Sequence, residues 1–476
     1  MAQARICIPC TSCLVPQLPQ FRFIMARNGS DSLQSAAIVV DPYSSGKYLL
    51  IVLESRGVPV IAVRSSTKMA KLFQGSHAAN KRFFAEEIEF EDLQGLEDLV
   101  EAVKALPYNV MGVLPGSEPG VELANRLSDA LGFAATNPLE LLEARKDKAE
   151  MQEALRRKGV PAAEQFKSGC LEELLSWAST RNQWPLVAKP TGGAGSDGIF
   201  FCRTEEDLKV AYGGIIGNRN VTGALNRELA LQEFLAGDEY IVDTVSYAGK
   251  HLCVAIWVYK KARGLPWNPY AIAPEEIRLL PPTGERQDVL VDYVFKVLDA
   301  VGLKYGPCHT EVMFTQRGPI LVEVNARLHG VQGPYLIELC TGTSQATYAI
   351  DAVLYGGQLF HQLYQDEVQG RFLYPLAKQC VYVCLLSPVE GYLVTSLKQT
   401  IMDMGFASAV EVTPAVEKGG YLRRSKDVST LAGIIALVHE SMEQIHEDIS
   451  RIREAETDMT LYQVAAEPPS ADLGGA

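Results

Sequence analysis

Residues 308–334 read CHTEVMFTQRGPILVEVNARLHGVQGP. Two short apolar runs flank residues 316–319, a turn signal at hairpin spacing. Side chains alternate along a strand, so His309, Glu311 and Met313 share one face of the first run. By the same rule Glu323 and Asn325 share one face of the second. A turn centred on Arg317 and Gly318 sets Glu311 opposite the region of Glu323 and Asn325. Cross-strand neighbours lie roughly 4.5–5.5 Å apart, and like charges placed that way destabilise a sheet. Two carboxylates facing each other in an apolar hairpin therefore call for a cation. Arg327 is one candidate. Glu, Glu and Asn are also hard oxygen ligands of the kind Mg²⁺ takes. Taken by itself, the stretch leaves a solvated polar face as the plainer alternative.

The rest of the chain bounds what such a hairpin can serve. At 476 residues there is room for two or three domains and a sizeable core. A content of 47% hydrophobic and 21% charged residues excludes a fibrous repeat or wholesale disorder. A formal net charge of -13 argues against a nucleic-acid binder, which needs a basic footprint. No apolar run approaches the roughly 18 residues of a membrane span. Among the cysteines, Cys7, Cys10 and Cys13 have the spacing of an iron–sulfur run, but a fourth ligand is missing and Pro9 and Pro16 interrupt. The others are scattered through apolar stretches, where a free thiol acts as a small hydrophobe. The set suits a reducing compartment and a cytoplasmic protein. Residues 1–33 read as a disordered or targeting extension, with Arg5, Arg22 and Arg27 and no acid up to Ser30; a transit peptide there would make the location organellar.

Order begins at Ala36, where AAIVV is a continuous apolar run of the parallel-sheet type. A loop at 41–46, a helix to Arg56, strands at 58–63 and 110–114 and a helix at 120–131 follow. Strands alternating with helices predict a doubly wound domain. Ligands gather at the carboxyl ends of such strands, which makes loops 44–46 and 117–118 candidate substrate walls. Ser45-Gly46-Lys47 is not a phosphate loop, because the upstream glycine is absent and Tyr48 replaces the hydroxyl. Residues 140–159 predict one helix, closed by Gly159 and Pro161. Then comes PLVAKP at 185–190, a strand ending in Lys189, followed by TGGAGSDG at 191–198 and a strand at 199–202. The glycines let backbone amides approach a ligand. Successive amides form an anion-binding concavity, to which Lys189 adds a point charge; a ligand-free Gly-rich hairpin is the alternative. A helix at 205–212, the run LALQEFLAGDEYIVD at 229–243, a strand at 254–259, a polar linker with Gly264, Pro266 and Pro269, and a helix at 287–301 lead to the opening hairpin.

That order of parts resembles the ATP-grasp superfamily over roughly residues 36–350. The residues that carry the likeness are Lys148, Lys189 in VAKP, the glycine loop, Gln232 to Leu235 with Glu239, Glu311, and EVNAR at 323–327. Within the superfamily, EVNAR after HTE and the start VVDPYSSG are similar to the L-amino-acid ligase and carnosine-synthase-like branch. The resemblance implies an α/β and α+β multidomain protein with an ATP-grasp fold. Its parts would be an N-terminal doubly wound parallel-sheet domain at 34–140, an ATP-grasp domain at 141–350, a C-terminal α+β cap at 351–464 and a disordered tail at 465–476. It implies that Lys148 and Lys189 hold ATP phosphates as compact cations, under a lid containing Gly192, Gly193, Gly195 and Ser196. Gln232 would pair with the adenine amino edge, Glu233, Phe234 and Leu235 would supply further adenine contacts, and Glu239 would accept from the ribose. Glu311, Glu323 and Asn325 would bind one or two Mg²⁺ ions, or Mn²⁺. Arg327 would be the catalytic residue, stabilising the transferring phosphoryl group and the tetrahedral intermediate.

The implied reaction joins a small-molecule carboxylate to an amine, of amino-acid or dipeptide type, through an acyl phosphate, with release of ADP and phosphate. A carboxylase or other acyl-phosphate former using bicarbonate, and a non-catalytic nucleotide-binding protein, are the alternatives. Homodimers are common among relatives. One departure concerns the loop after the arginine: relatives often carry a Gly-Gly pair where residues 328–333 intervene here. His329 is a candidate for contacting a substrate carboxylate, His309 for a place near the metal or acyl site, and Glu118 for recognising an amino group. Trp257, Trp267 and Tyr270 fall where a substrate pocket should form, with core packing as the alternative. Further on, 379–386 reads as a strand, 392–404 as a helix, Arg423 and Arg424 as a solvated pair, and 431–452 as a helix.

Overall fold

The computed structural model describes residues 33–66, 71–90, 95–181, 183–193, 198–220, 223–364 and 374–468. The readings of Cys7, Cys10 and Cys13, and of the extension up to residue 32, lie outside these. Strands β1 (Gln34–Val40), β2 (Val60–Arg64), β3 (Phe84–Glu89) and β4 (Tyr108–Pro115) form a parallel sheet in the order β3-β2-β1-β4. Residues 36–40 are completely buried because helices cover both faces. Leu99, Val103 and Leu127 pack on one face; Leu49, Leu50 and Leu53 pack on the other, beside Ala349 and Ile350 from the distant helix Gln345–Leu354. At the carboxyl ends of β1 and β4 the loops touch backbone to backbone. A Cβ on Gly46 would stand 2.5 Å from the Gly116 carbonyl oxygen, so a side chain there would push the two loops apart.

A second sheet is antiparallel and consists of β5 (Gln165–Ser168), β6 (Leu186–Pro190), β7 (Phe200–Cys202) and β8 (Leu229–Glu233), in the order β5-β8-β6-β7. Helices Leu171–Arg181 and Glu205–Ile215 cover one side of it. The latter begins with a capping box between Thr204 and Asp207.

The largest sheet begins with β9 (Gly237–Tyr247), β10 (Lys250–Leu265), β11 (Asn268–Leu279), β12 (Gly306–Thr315) and β13 (Gly318–Asn325). The C-terminal part adds β14 (Gln379–Leu385), β15 (Gly391–Leu393), β16 (Ala409–Pro414), β17 (Tyr421–Leu422), β18 (Gly433–His439) and β19 (Val464–Ala465). Eight of these run antiparallel in the order β13-β12-β9-β10-β11-β14-β18-β16, and β17-β15-β19 form a small separate sheet. One face of the eight-stranded sheet rests on helices Glu285–Ala300 and Lys148–Arg157. Val242, Val312, Leu321 and Val324 meet Met151, Leu155, Leu290 and Val294 there. The other face carries the polar side chains described below.

Several expectations are corrected. The polar linker around Gly264, Pro266 and Pro269 is the tip of the long β10–β11 hairpin, whose last pair is Leu265 with Asn268. Turn residues there mark a hairpin end rather than a break between units. The single helix expected over 140–159 is two short 3₁₀ turns followed by helix Lys148–Arg157, whose N-cap is Asp147. Residues 392–404 begin as a strand and become helical only at Leu397. The helix expected over 431–452 is strand β18 followed by helix Met442–Thr457, because a short apolar run reads alike in a buried strand and a buried helix. In the C-terminal α+β part, β14, β18 and β16 continue the central sheet past residue 350. At the start of the expected tail Ala465 pairs with Tyr392, next to the pair of Val464 with Leu393, and residues 469–476 lie outside the described set. Among the described residues, no helix is long and apolar enough to cross a membrane.

Candidate active site

The β12–β13 hairpin turns on Gln316 and Arg317, one residue before the centre expected, and brings the two acids together as the sequence reading anticipated. Glu311 is the direct partner of Glu323, and His309 is the partner of Asn325, with a bulge immediately after Glu311. On the other side of β12, His309 is paired with Asp243 and Met313 with Glu239 on β9. One face of the sheet therefore presents Glu239, Asp243, His309, Glu311, Glu323 and Asn325 together.

Cations converge on these acids from other elements. Lys148, the first residue of its helix, is fixed by Asp147, which accepts from the amides of Ala149 and Glu150 at 2.8 and 2.9 Å. Its Nζ stands 2.8 Å from Glu323 Oε2 and donates to the Gly193 carbonyl at 3.1 Å. Burial pushes the Glu323 carboxyl up, but Lys148 and the Asn325 amide outweigh burial and hold it down at about 2. Lys189 on β6 is buried, and burial followed by the nearby Lys148 charge brings its ammonium down to about 8. Lys261 pairs with Glu239, whose carboxyl is raised by burial against the Lys261 charge. Arg327 is held on three sides. Its Nε donates to Glu118 Oε2 at 2.9 Å, Nη2 to Asn325 Oδ1 at 3.2 Å and Nη1 to the Leu328 carbonyl at 2.9 Å. Burial raises the Glu118 carboxyl, with Arg327 opposing it. The loop that ends β4 thus reaches the hairpin across 209 residues of chain.

The glycine loop joins β6 to β7. Gly192 and Gly193 are described, the latter at φ 113, whereas Gly195 and Ser196 lie outside the described residues. Gln232 is buried on β8 and donates to Gln165 Oε1 at 2.7 Å. Glu233 accepts from the Glu164 amide at 2.9 Å and pairs with Arg317 at the hairpin turn at 2.6 Å. Phe234 stands edge-on to Phe201. Phe234 and Leu235 lie in the short connection between β8 and β9, where the chain passes from one sheet to the other.

The two candidate histidines meet at a residue the sequence reading left out, Asp243. His309 Nδ1 lies 2.9 Å from Asp243 Oδ1, and His329 Nδ1 lies 2.7 Å from Oδ2. The second ring nitrogen of His309 is 3.4 Å from Glu311 Oε1. Burial pulls His309 down, but its bonds to Asp243 and Glu311 prevail and raise it to about 9. For His329 burial prevails, and its pKa is lowered. A period-2 step from Glu239 through Ile241 places Asp243 on the acid-bearing face, so the signal was present in the sequence. Lys261 and Gln345 were also missed; nothing local distinguishes them. Trp257 is core, packed against His329 and Tyr382, and Trp267 donates to the Ser425 carbonyl at 2.8 Å. The Tyr270 side chain lies outside the described ones. Arg423 and Arg424 are exposed.

A sequence model of the ATP-grasp domain matches residues 182–334. Dapdiamide A synthase of Enterobacter agglomerans is 29% identical over 426 residues, covering 88% of this chain and 96% of that one. The crystal structure of an L-amino acid ligase from Bacillus licheniformis superposes with a TM-score of 0.67 at 17% identity, over 88% of this chain and 97% of that one. A carboxyaminoimidazole ribonucleotide synthase from Aspergillus clavatus, complexed with ATP, superposes at 0.63 and 14% identity, over 89% and 99%. Residues 182–334 thus match an ATP-grasp domain, and most of the chain shares the fold of ATP-grasp enzymes. Among those enzymes, the chain stands with the ligases that form carbon–nitrogen bonds.

Proposed function

We propose that the protein joins a small amino-acid-type carboxylate to an amine through an acyl phosphate, and that the residues gathered around the β12–β13 hairpin carry out the reaction. The observation that carries this reading is the pairing of Glu311 with Glu323, flanked by Lys148 and Arg327. Lys148, partly buried, and Lys189, buried, are two ammonium groups close enough to affect each other, a placement that favours a polyanion such as a nucleotide triphosphate. The loop with Gly192, Gly193, Gly195 and Ser196 would close over the phosphates and exclude water. Gln232, Glu233, Phe234 and Leu235, at the passage between two sheets, would line an adenine pocket, and Glu239 would accept from the ribose. Glu311, Glu323 and Asn325 are hard oxygen donors on partnered strand positions that fit one or two Mg²⁺ ions, which when bound neutralise phosphate charge.

The chemistry then needs no covalent enzyme nucleophile. A substrate carboxylate oxygen attacks the γ-phosphorus of ATP, and the bond to ADP breaks. The amine nitrogen attacks the acyl carbon, phosphate leaves with the electron pair of the C–O bond, and the nitrogen loses a proton. Arg327, fixed by Glu118, Asn325 and Leu328, would hold the negative charge that develops in both steps. Glu118 fastens the guanidinium through Oε2 and offers its second oxygen to a substrate ammonium. His309 and His329 would border the acyl site.

Incubation with ATP, Mg²⁺ and pooled amino acids tests the reading, with products identified by mass spectrometry. ADP and phosphate release that depends on amino acids, with a product lighter than the sum of two by one water, is expected. Release that requires bicarbonate would support a carboxylase instead, and AMP in place of ADP would overturn the acyl-phosphate route.

A further inference from the structure

Behind the acid cluster lies a buried polar bracket that the reaction steps above leave unused. Asp243 is fully buried, and its oxygens accept three N–H donors: His309 at 2.9 Å, His329 at 2.7 Å and the Trp257 indole at 3.0 Å. The two imidazoles stand edge to face with centroids 4.5 Å apart. Gln345, also fully buried, fastens the same place through the backbone. Its Oε1 accepts from the His329 amide at 2.9 Å, while its Nε2 donates to the carbonyls of Thr244 and Cys308 at 3.2 and 3.1 Å. Both the side chain and the backbone of His329 are therefore tied to β9 and β12.

Each histidine is one step from a group at the centre of the site. His309 reaches Glu311 with its other nitrogen, at 3.4 Å. His329 lies two residues beyond Arg327, and the intervening Leu328 carbonyl accepts from the Arg327 guanidinium at 2.9 Å. We propose that Asp243 is a positioning residue: by holding the His309 and His329 rings, it fixes the hairpin carrying Glu311 relative to the loop carrying Arg327. The proposal rests on the ligase reading for what those two groups do. The same three side chains bring ligand atoms within 4.8 Å of one another, close enough to suggest a metal centre. The Trp257 N–H on Asp243 favours a hydrogen-bonded bracket, since an indole N–H donates and cannot ligate a cation.

Asp243→Asn in the full chain is the test. The amide keeps the size of the carboxylate but turns one acceptor into a donor facing a ring nitrogen, so one ring must turn or change tautomer. Outer-shell partners of this kind change activity or metal affinity by about 10–100-fold. A fall of that order in kcat is expected, with ATP KM unchanged and a higher Mg²⁺ concentration needed for half-maximal turnover. A variant that melts earlier but keeps the kcat and Mg²⁺ dependence of the wild type would make Asp243 merely structural and overturn the proposal. A stoichiometric transition metal in the purified wild-type protein would overturn it as well. Should Asp243→Asn fail to fold, His309→Gln and His329→Gln carry the test. Each should lower kcat at constant ATP KM, and unchanged kcat in both would refute the role. Failure of the ligase reading shows separately, as a wild-type protein without amino-acid-dependent ADP release. The Mg²⁺ dependence of ATP binding then replaces kcat as the comparison between wild type and variant.

Discussion

In two regions of this molecule, acids shielded from solvent are treated in opposite ways. In the C-terminal region Asp448 accepts from the amide and hydroxyl of Ser408 at 2.8 and 2.6 Å. Glu456 accepts from the Leu386 amide at 2.7 Å, the Tyr462 hydroxyl at 3.0 Å and Arg453 at 2.7 Å. Those acids are spread apart, and each is satisfied by groups that hold neighbouring elements together. On the β12–β13 hairpin, Glu311 and Glu323 are instead placed opposite each other, with Glu239 and Glu118 close enough to shift with them. Their partners are cations that reach in from elsewhere in the chain, Lys148, Lys261 and Arg327. Acids that serve only the fold are separated and capped. Acids that are crowded against one another mark a site where something else is to bind.

The largest effect should come from Arg327, the guanidinium beside the crowded acids. Arg327→Ala should cut kcat by about 100- to 1000-fold, the range for losing a donor to developing negative charge. ATP affinity should be largely kept, and equal loss of turnover and ATP binding would contradict the role. Glu323→Gln comes next, with turnover down about 100-fold and a raised Mg²⁺ requirement, since charge stabilisation by a bound metal is worth several kcal/mol. Titration with a chelator should abolish turnover of the wild type and be reversed by Mg²⁺. The carboxyl of Glu323 is held at about 2 against an ordinary 4.5. Its contribution to stability is therefore present above pH 4.5 and lost as the pH falls toward 2. The difference in melting temperature between Glu323→Gln and wild type should close over that window.

Asp448→Ala, in contrast, should destabilise without touching chemistry. Removing the carboxylate leaves the Ser408 amide and hydroxyl without their acceptor, a loss of about 1–3 kcal/mol. Denaturant unfolding should show that loss, with kcat and the Mg²⁺ requirement at wild-type values. A change in Mg²⁺ dependence would erase the distinction between the two sets of acids.

The hairpin was legible in the sequence because its logic is local. Period-2 alternation and a turn signal at residues 316–319 bring Glu311 opposite the region of Glu323 and Asn325, while the exact pairing with Glu323 depends on the bulge after Glu311, which no local signal announces. Its partners were not legible from position alone. Lys148 lies 175 residues before Glu323, and only the likeness to a family with the same order of parts brought it into the site. Asp243 escaped because no catalytic pattern contains it, although its place on the acid-bearing face follows from the same alternation. The C-terminal strands were misread where apolar residues are continuous, as in β18, since a strand buried on both faces has no period to show. Continuity of the sheet from β11 into β14 is a long-range pairing that no local signal announces.

The smallest expected effect compares two helix caps. Asp147 caps helix Lys148–Arg157 through the amides of Ala149 and Glu150, and Thr204 caps helix Glu205–Ile215 through the Asp207 amide. Loss of either cap should cost about 1 kcal/mol of stability. The consequences should then diverge. The first helix begins with Lys148, whose amide donates to the Thr191 carbonyl at 2.7 Å and whose ammonium joins Gly193 to Glu323. Asp147→Ala loosens that first turn and should raise the KM for ATP several-fold, whereas Thr204→Ala should leave it unchanged at the same stability loss. An unchanged KM in both variants would mean that the helix packing, and not the cap, holds Lys148 in place, because Met151 and Leu155 anchor the next turns against β13 whether or not the cap is made.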